Sequence, residues 1–226
     1  MRGRGERPPA VVALNVHDDE NTSVEAALSL AEQGCERGVR LVELQHTGAR
    51  NLTVHDAAGD SVVVDPNRMF TDRGARASMA RLGRVDTAAL RAVRAFADTL
   101  LARSGLDTAR VVVTLHNNTD ANYSVRSYLP GGSEAAEAAD VHVAPAHDPD
   151  DFFFVTDRAA FDALAARGFN VVLQDNARAT DDGSLSVLAA QRGRRYVNVE
   201  AQHGHAEVQA RMLCTLLDVL DTLPAP

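Results

Sequence analysis

Short apolar runs alternate along this chain with amphipathic stretches, a pattern typical of strands that alternate with helices. Runs rich in valine and leucine predict strands at 11–16, 39–44, 111–115, 170–174 and 196–200, and the phenylalanines at 152–154 predict structural packing. Apolar residues at a helical spacing predict helices at 22–37, before Gly38, and at 88–103, 157–167 and 207–223. The alternation predicts an α/β fold, namely a three-layer α/β/α sandwich with a mixed, mainly parallel sheet.

Two further segments lie outside this alternation. Residues 51–54 and 61–64 flank a polar turn and predict a hairpin, which Asp65-Pro66 closes. Residues 122–145 are rich in loop formers, include a short predicted strand at 141–144, and are expected to build the rim of a site. No repeat or linker interrupts the chain, so 1–226 is predicted to be one domain, with 1–9 as a flexible N-terminal tail.

Composition restricts the class of partner. The chain has 226 residues, and its 45% hydrophobic content is sufficient for a sizeable core. A formal net charge of −8 argues against a nucleic-acid partner, because such binding requires a basic face. The sequence also lacks a signal segment and any apolar run long enough to span a membrane. We therefore expect a cytoplasmic protein that binds a small molecule or peptide, with its oligomeric state left open.

Residue usage excludes some kinds of catalysis. Every basic residue is arginine, so Schiff-base and lysine-nucleophile chemistry is excluded. Cys35 and Cys214 lie far apart in apolar, helix-like contexts, which predicts free buried thiols in a reducing compartment. No nucleophile elbow is present, and Pro130-Gly-Gly-Ser133 lacks the lysine of a phosphate-binding loop.

Residues that can bind metal follow two of the predicted strands. His17 ends the first strand and His116 ends the strand at 111–115, while Glu20 comes three residues after His17. If these strands are neighbours, the three side chains meet at one edge of the sheet and can form a zinc site with an open position for water. Glu200 would stand beside that site as a proton carrier. Each residue alone also fits a solvated loop or a buried ion pair, so the prediction depends on their conjunction.

An asparagine–arginine pair is the candidate for substrate binding. Asn67 and Arg68 follow Asp65-Pro66, and an amide beside a planar guanidinium suits bidentate capture of a carboxylate. The alternative is a turn that carries a surface arginine.

Taken in order, these motifs resemble the signature of the zinc carboxypeptidase superfamily. The matching elements are His17-x-x-Glu20, Asp65-Pro-Asn67-Arg68, His116 after an apolar strand, and Glu200. That superfamily includes the aspartoacylase and succinylglutamate desuccinylase branch and the N-formylglutamate amidohydrolases. The resemblance implies a phosphorylase-like or carboxypeptidase-like α/β/α fold, one zinc ion per chain, and hydrolysis of an amide next to a carboxylate.

The resemblance also implies roles for the matching residues. It implies that His17, Glu20 and His116 are the metal ligands and that Glu200 is the general base and acid. The carboxylate clamp would be Asn67 with Arg68, and Arg50 is a weaker match to an arginine that polarises the scissile carbonyl.

The chain departs from that family in two respects. It is shorter than a typical carboxypeptidase catalytic domain, and it lacks the additional carboxy-terminal domain of the aspartoacylase branch. The tyrosine that many carboxypeptidases close over their substrate has only loop candidates here, Tyr123 and Tyr128, and Arg126 between them is a candidate second anion contact or a solvated residue. The resemblance therefore leaves substrate specificity open.

Some assignments have alternatives. Asp18 or Asp19 can replace Glu20 as a ligand, although the three-residue spacing favours Glu20. His203 and His205 are expected to cap the last helix or lie at the rim, with accessory metal binding as the alternative.

For function, a metallocarboxypeptidase is the first hypothesis. The alternatives are an N-acyl amino acid deacylase or other amidohydrolase, and a non-catalytic protein that binds a metal or a carboxylate.

Overall fold

A computed structural model describes residues 11–35, 39–120 and 123–224. The tail predicted at 1–9 and the helix end predicted at Gly38 lie outside these residues. The strands are β1 Val11–Asn15, β2 Val39–Glu43, β3 Leu52–His55, β4 Ser61–Val64, β5 Val111–Asn118, β6 Ala138–His142, β7 Phe152–Val155, β8 Asn170–Gln174 and β9 Arg195–Gln202. The α-helices are α1 Asn21–Leu28, α2 Asp72–Leu82, α3 Thr87–Ser104, α4 Arg158–Ala166, α5 Leu185–Gln191 and α6 Ala206–Thr222.

Seven of the strands form one sheet in the order β2-β1-β5-β9-β7-β8-β6. The pairs from β2 to β9 are parallel, as is β7 with β8, whereas β7 runs antiparallel to β9 and β6 runs antiparallel to β8. The predicted mixed, mainly parallel sheet is therefore confirmed. The remaining strands, β3 and β4, form the predicted antiparallel hairpin.

Helices cover both faces of the sheet, which confirms the three-layer prediction. Because side chains alternate along β1, Val12 and Leu14 pack in a cluster with α2, α3 and α5, while Val11 and Ala13 pack on the other face with α1, α4 and α6. All eight positions of β5 are buried, as expected for a central strand covered on both faces.

Local boundaries differ from the sequence prediction at several places. Helix α1 ends at Leu28, well before the predicted end near residue 37, and is followed by turns. Strand β6 spans Ala138–His142 rather than 141–144. Helices α2 and α5 were not predicted. The buried face of α2 consists largely of small residues, Gly74, Ala75 and Ser78 with Met79, so it gives a weak hydrophobic pattern.

The prediction of two free thiols is wrong, because Cys35 and Cys214 form a disulfide. Cys35 lies in the turns after α1, and Cys214 lies in α6, which packs against α1. The two cysteines are 179 residues apart in sequence, so their proximity follows from tertiary packing that local patterns do not show.

Among the described residues, no helix has both the length and the hydropathy required to cross a membrane. The cytoplasmic location stays a prediction.

We expect the disulfide to stabilise the fold. Closing a loop of 179 residues restricts the unfolded chain, which by the chain-entropy model corresponds to at most about 5 kcal/mol. Denaturant unfolding of wild type with and without reductant, beside Cys214→Ser, measures the difference. Reductant should destabilise wild type and leave Cys214→Ser unchanged. Equal stability of both proteins with and without reductant, together with two titratable thiols in wild type, would contradict the pairing.

Candidate metal centre

Three neighbouring strands deliver the candidate metal and proton-transfer residues to one edge of the sheet. His17 lies two residues beyond β1, and His116 and Glu200 lie near the carboxyl ends of β5 and β9. Strand β5 is hydrogen-bonded to both β1 and β9, and His116 is directly opposite Glu200 in the register. The predicted convergence of the strand ends is therefore present.

The turn between His17 and Glu20 is held by one side chain at the end of β1 and one in the first turn of α1. The Asn15 amide donates to Ser23 Oγ at 2.8 Å and to the Glu20 carbonyl at 3.3 Å, and Ser23 Oγ donates to the same carbonyl at 2.8 Å. These hydrogen bonds hold the backbone in a turn after His17, so that the Glu20 carboxylate lies beside the His17 ring.

The acidic residues next to Glu20 are placed differently. The Asp18 carboxylate accepts hydrogen bonds from the backbone N–H groups of His46 at 2.7 Å and Gly48 at 2.6 Å. Asp19 is exposed, whereas Glu20 is only 2% exposed. Of the three carboxylates, it is Glu20 that the fold brings to the histidines.

The donor atoms of His17, Glu20 and His116 surround one point. Glu20 Oε1 is 2.8 Å from His17 Nδ1, Glu20 Oε2 is 2.8 Å from His116 Nδ1, and the two Nδ1 atoms are 3.1 Å apart. All three side chains are buried. Two imidazole nitrogens and a carboxylate that face each other so closely are a potential metal-binding group.

These residues fit a zinc ion. Tetrahedral zinc with bonds of about 2.1 Å separates its ligand atoms by about 3.4 Å, a few tenths of an ångström more than the 2.8 to 3.1 Å seen here. The other nitrogen of His17, Nε2, is 3.0 Å from Asp65 Oδ1. A carboxylate in that position fixes the tautomer and orientation of a metal-binding histidine and leaves Nδ1 free for the ion.

The buried groups of this cluster shift one another's pKa values. Burial alone lowers the pKa of His17, but its hydrogen bonds to Asp65 and Glu20 outweigh burial and raise the pKa to about 9. Burial also disfavours the charged carboxylate of Glu20, yet His116 and His17 keep its pKa below the usual value. The pKa of His116 is lowered, chiefly by burial.

Glu200 lies in the environment expected of a proton carrier. It is 5% exposed, and Asn198 Nδ2 donates to its Oε2 at 2.9 Å. Burial, with a contribution from the negative charge of Glu20, raises the pKa of Glu200 to about 8. A nearby divalent cation would favour the ionised form.

Arg50 contacts the candidate metal-binding group directly, through Glu20. Its Nη1 is 2.6 Å from Glu20 Oε1, and about half of its side chain is exposed to the cleft and solvent. The guanidinium is therefore anchored at Glu20 with donors left for a ligand.

Asn67 and Arg68 lie in a short 3₁₀ helix, Pro66–Arg68, whose first backbone N–H group is capped by Asp65. Arg68 Nε is 3.3 Å from Asp182 Oδ2, and its side chain is one-third exposed. Asp182 reaches Arg68 because the next residue, Gly183, has a φ of 86° and packs against the Arg68 backbone. A Cβ atom at Gly183 would clash with the Arg68 carbonyl, so this approach requires glycine.

A cleft of about 750 Å³ opens beside Glu20, His116 and Glu200. Other candidate residues from the sequence also line this cleft: Asp19, Arg50, Asn67, Arg68, Tyr123, Tyr128 and His203. The hydroxyl groups of Tyr123 and Tyr128 are hydrogen-bonded to each other, and burial raises the pKa of both.

Two predicted residues lie elsewhere. Arg126 is exposed on the 3₁₀ helix Val125–Tyr128 and is not part of the cleft lining. His205 precedes α6, and its Nδ1 contacts the Asp151 carboxylate at 3.1 Å. The arrangement leaves Arg68 as the predicted anion contact that faces the cleft.

Comparisons with known proteins give this chain no family. No family model matches it, and no curated protein matches it. Among solved structures it is similar to murein-tripeptide amidase MpaA from Escherichia coli O157, with 15% sequence identity and a TM-score of 0.46 over 97% of this chain and 86% of that one. The activity in that name belongs to that protein.

Three contributors to the site were not predicted from the sequence. The sequence places Asp65 in a turn and in the motif before Asn67 and Arg68 but gives it no role of its own, although it contacts His17. Asn198 contacts Glu200, and the two-residue spacing on a strand was a usable signal because it puts both on one face. Asp182 contacts Arg68 from a turn more than a hundred residues away, and no local pattern shows this.

Proposed function

We propose that this protein is a zinc-dependent hydrolase that cleaves a peptide or amide bond next to a free carboxylate. The observation that supports it is the buried group of His17 Nδ1, His116 Nδ1 and the Glu20 carboxylate, with Glu200 opposite His116 on the adjacent strand. We propose one zinc ion per chain, bound by these three side chains. We also propose that residues 1–226 act as one domain in the cytoplasm, without a nucleic-acid or membrane partner.

The proposed chemistry assigns a task to each group. Zinc at such a site supplies Lewis-acid catalysis, since it polarises a carbonyl and lowers the pKa of a water to about 7. Glu200 takes a proton from the attacking water as the new C–O bond forms. It then passes that proton to the amine nitrogen as the C–N bond breaks. Arg50 donates hydrogen bonds to the developing oxyanion.

Arg68 and Asn67 select the substrate in this proposal. Their donors line the same cleft as Glu200, so a carboxylate held by them places the adjacent amide near the reacting groups. The pairing of Arg68 with Asp182 holds the guanidinium in place before substrate arrives. The cleft is large enough for either a short peptide or an N-acyl amino acid. The proposal therefore covers both carboxypeptidase and deacylase activity.

The test is hydrolysis by the zinc-loaded protein of short peptides and N-acyl amino acids, each offered with a free and an amidated α-carboxyl group. Release of amine from the free-acid substrates, with little from their amides, is the expected result. Binding of these compounds without any hydrolysis would instead indicate the non-catalytic binding protein.

Replacing Arg68 with alanine is expected to remove the preference for a free carboxylate. Loss of a charge-assisted hydrogen bond should lower kcat/KM on free-acid substrates about 10- to 100-fold, mainly through KM. Hydrolysis of the amidated substrates should be unaffected. Arg76→Ala, which removes an exposed arginine of α2, is the control. If Arg68→Ala and Arg76→Ala behave alike on both substrate classes, Arg68 is not the clamp.

A further inference from the structure

A buried amide on α6 joins the two strands that carry His116 and Glu200. Gln209 is fully buried, and its Nε2 donates to the carbonyl oxygens of His116 and Val199, each at 3.0 Å. Val199 directly precedes Glu200, so a single side chain contacts the backbone of both site-bearing strands. Its Oε1 accepts a hydrogen bond from Asn117 at 3.0 Å, which uses both ends of the amide.

Asn117 extends this connection to the third element of the site. Its Nδ2 also donates to the Ala201 carbonyl at 3.1 Å, on the carboxyl side of Glu200 in β9. Its Oδ1 accepts from the backbone N–H group of Ser23 at 2.9 Å, in the first turn of α1 and three residues after Glu20. The two amides therefore contact every backbone segment that carries a proposed ligand or proton carrier, except the β1 end at His17.

We propose that Gln209 and Asn117 are positioning residues that set the spacing of the metal centre. This inference rests on the proposed function, since it concerns the same metal site. Neither side chain contacts the donor atoms of the proposed ligands; they act on the backbone that carries them. When an amide that bridges two buried strands is lost, carbonyl groups are left without partners, and the strand ends are free to separate. A ligand set that is looser by a fraction of an ångström binds metal less well.

The direct test is the zinc affinity of Gln209→Met, measured by competition with a chromophoric chelator. Methionine has a similar length and volume but makes none of the three hydrogen bonds. We expect the dissociation constant to rise about 10- to 100-fold, the usual effect of removing an outer-sphere partner. The visible spectrum of the cobalt-substituted protein should change as well, because it reports coordination geometry directly.

A matched control separates positioning from general stability. Asn170 is also fully buried and makes three hydrogen bonds, from its amide to the carbonyls of Asp148 and Asp151 and from the Ala144 N–H group to its Oδ1. Asn170→Leu should destabilise the fold to an extent comparable with Gln209→Met while leaving zinc affinity and the cobalt spectrum unchanged.

A second variant keeps the inference testable if Gln209→Met does not fold. Asn117→Leu leaves the two carbonyl contacts of Gln209 in place and should weaken zinc binding by a smaller factor. Zinc affinity within twofold of wild type in the folded variants would overturn the inference and leave the proposed function standing. Failure of the wild type itself to bind zinc would overturn both.

Discussion

Replacing Glu200 with glutamine is expected to lower kcat about 10²- to 10⁴-fold, the usual range for loss of a general acid and base. Glutamine keeps the shape of the side chain and can still contact Asn198, but it cannot take a proton from water. Because Glu200 is not one of the three ligands, Glu200→Gln should still bind zinc. The measurement is kcat on the best free-acid substrate, together with the zinc content of the same preparation.

The control for Glu200→Gln is Glu134→Gln, which changes another carboxylate of the cleft wall in the same way. Glu134 makes none of the site contacts described above, so its replacement should leave kcat within a few-fold of wild type. If Glu200→Gln retains wild-type turnover, Glu200 is not the proton carrier. If it loses zinc, Glu200 is a ligand and the assignment of three ligands has to change.

Replacing His116 with alanine is expected to abolish stable zinc binding. His116 provides one of only two nitrogen donors, and its removal leaves Glu20 in contact with His17 and Arg50. Loss of a direct ligand should raise the dissociation constant more than the roughly 100-fold upper range for an outer-sphere partner. The measurement is chelator competition, and activity should be lost in parallel.

His142→Ala is the matched control for His116→Ala. His142 lies in β6, away from the cleft lining, with its Nδ1 2.8 Å from the Phe169 carbonyl. The His142→Ala variant should bind zinc with the same affinity as wild type. Equal affinity of the two variants would show that His116 is not a ligand.

The sequence predicts the sheet and the convergence of His17, Glu20 and His116 because both depend on strong local signals. Apolar runs such as 111–115 identify central strands, and the abrupt polar residues at His17 and His116 identify where those strands end. The rule that parallel strands end at the same edge then brings the residues together without any knowledge of the register. Glu20 is favoured over Asp18 and Asp19 by spacing, and the structure explains why, since Asp18 is engaged by backbone N–H groups.

What the sequence does not show depends on long-range contacts or on small residues. Helix α2 packs through Gly74 and Ala75, which give almost no hydrophobic periodicity. The Cys35–Cys214 pair and the Arg68–Asp182 contact each join segments that are distant in the chain. In the sequence, Gln209 is one polar residue within an amphipathic helix, and nothing in the pattern indicates that it is buried. Its contacts arise only from the packing of α6 against the strand ends.

Elemental analysis of the purified protein tests the central claim most directly. After exposure to zinc and removal of the excess, wild type should contain about one zinc ion per chain, and His116→Ala should contain almost none. Zinc at that stoichiometry, dependent on His116, would establish the metal centre. A wild type that retains no metal, or that retains as much as His116→Ala does, would contradict it.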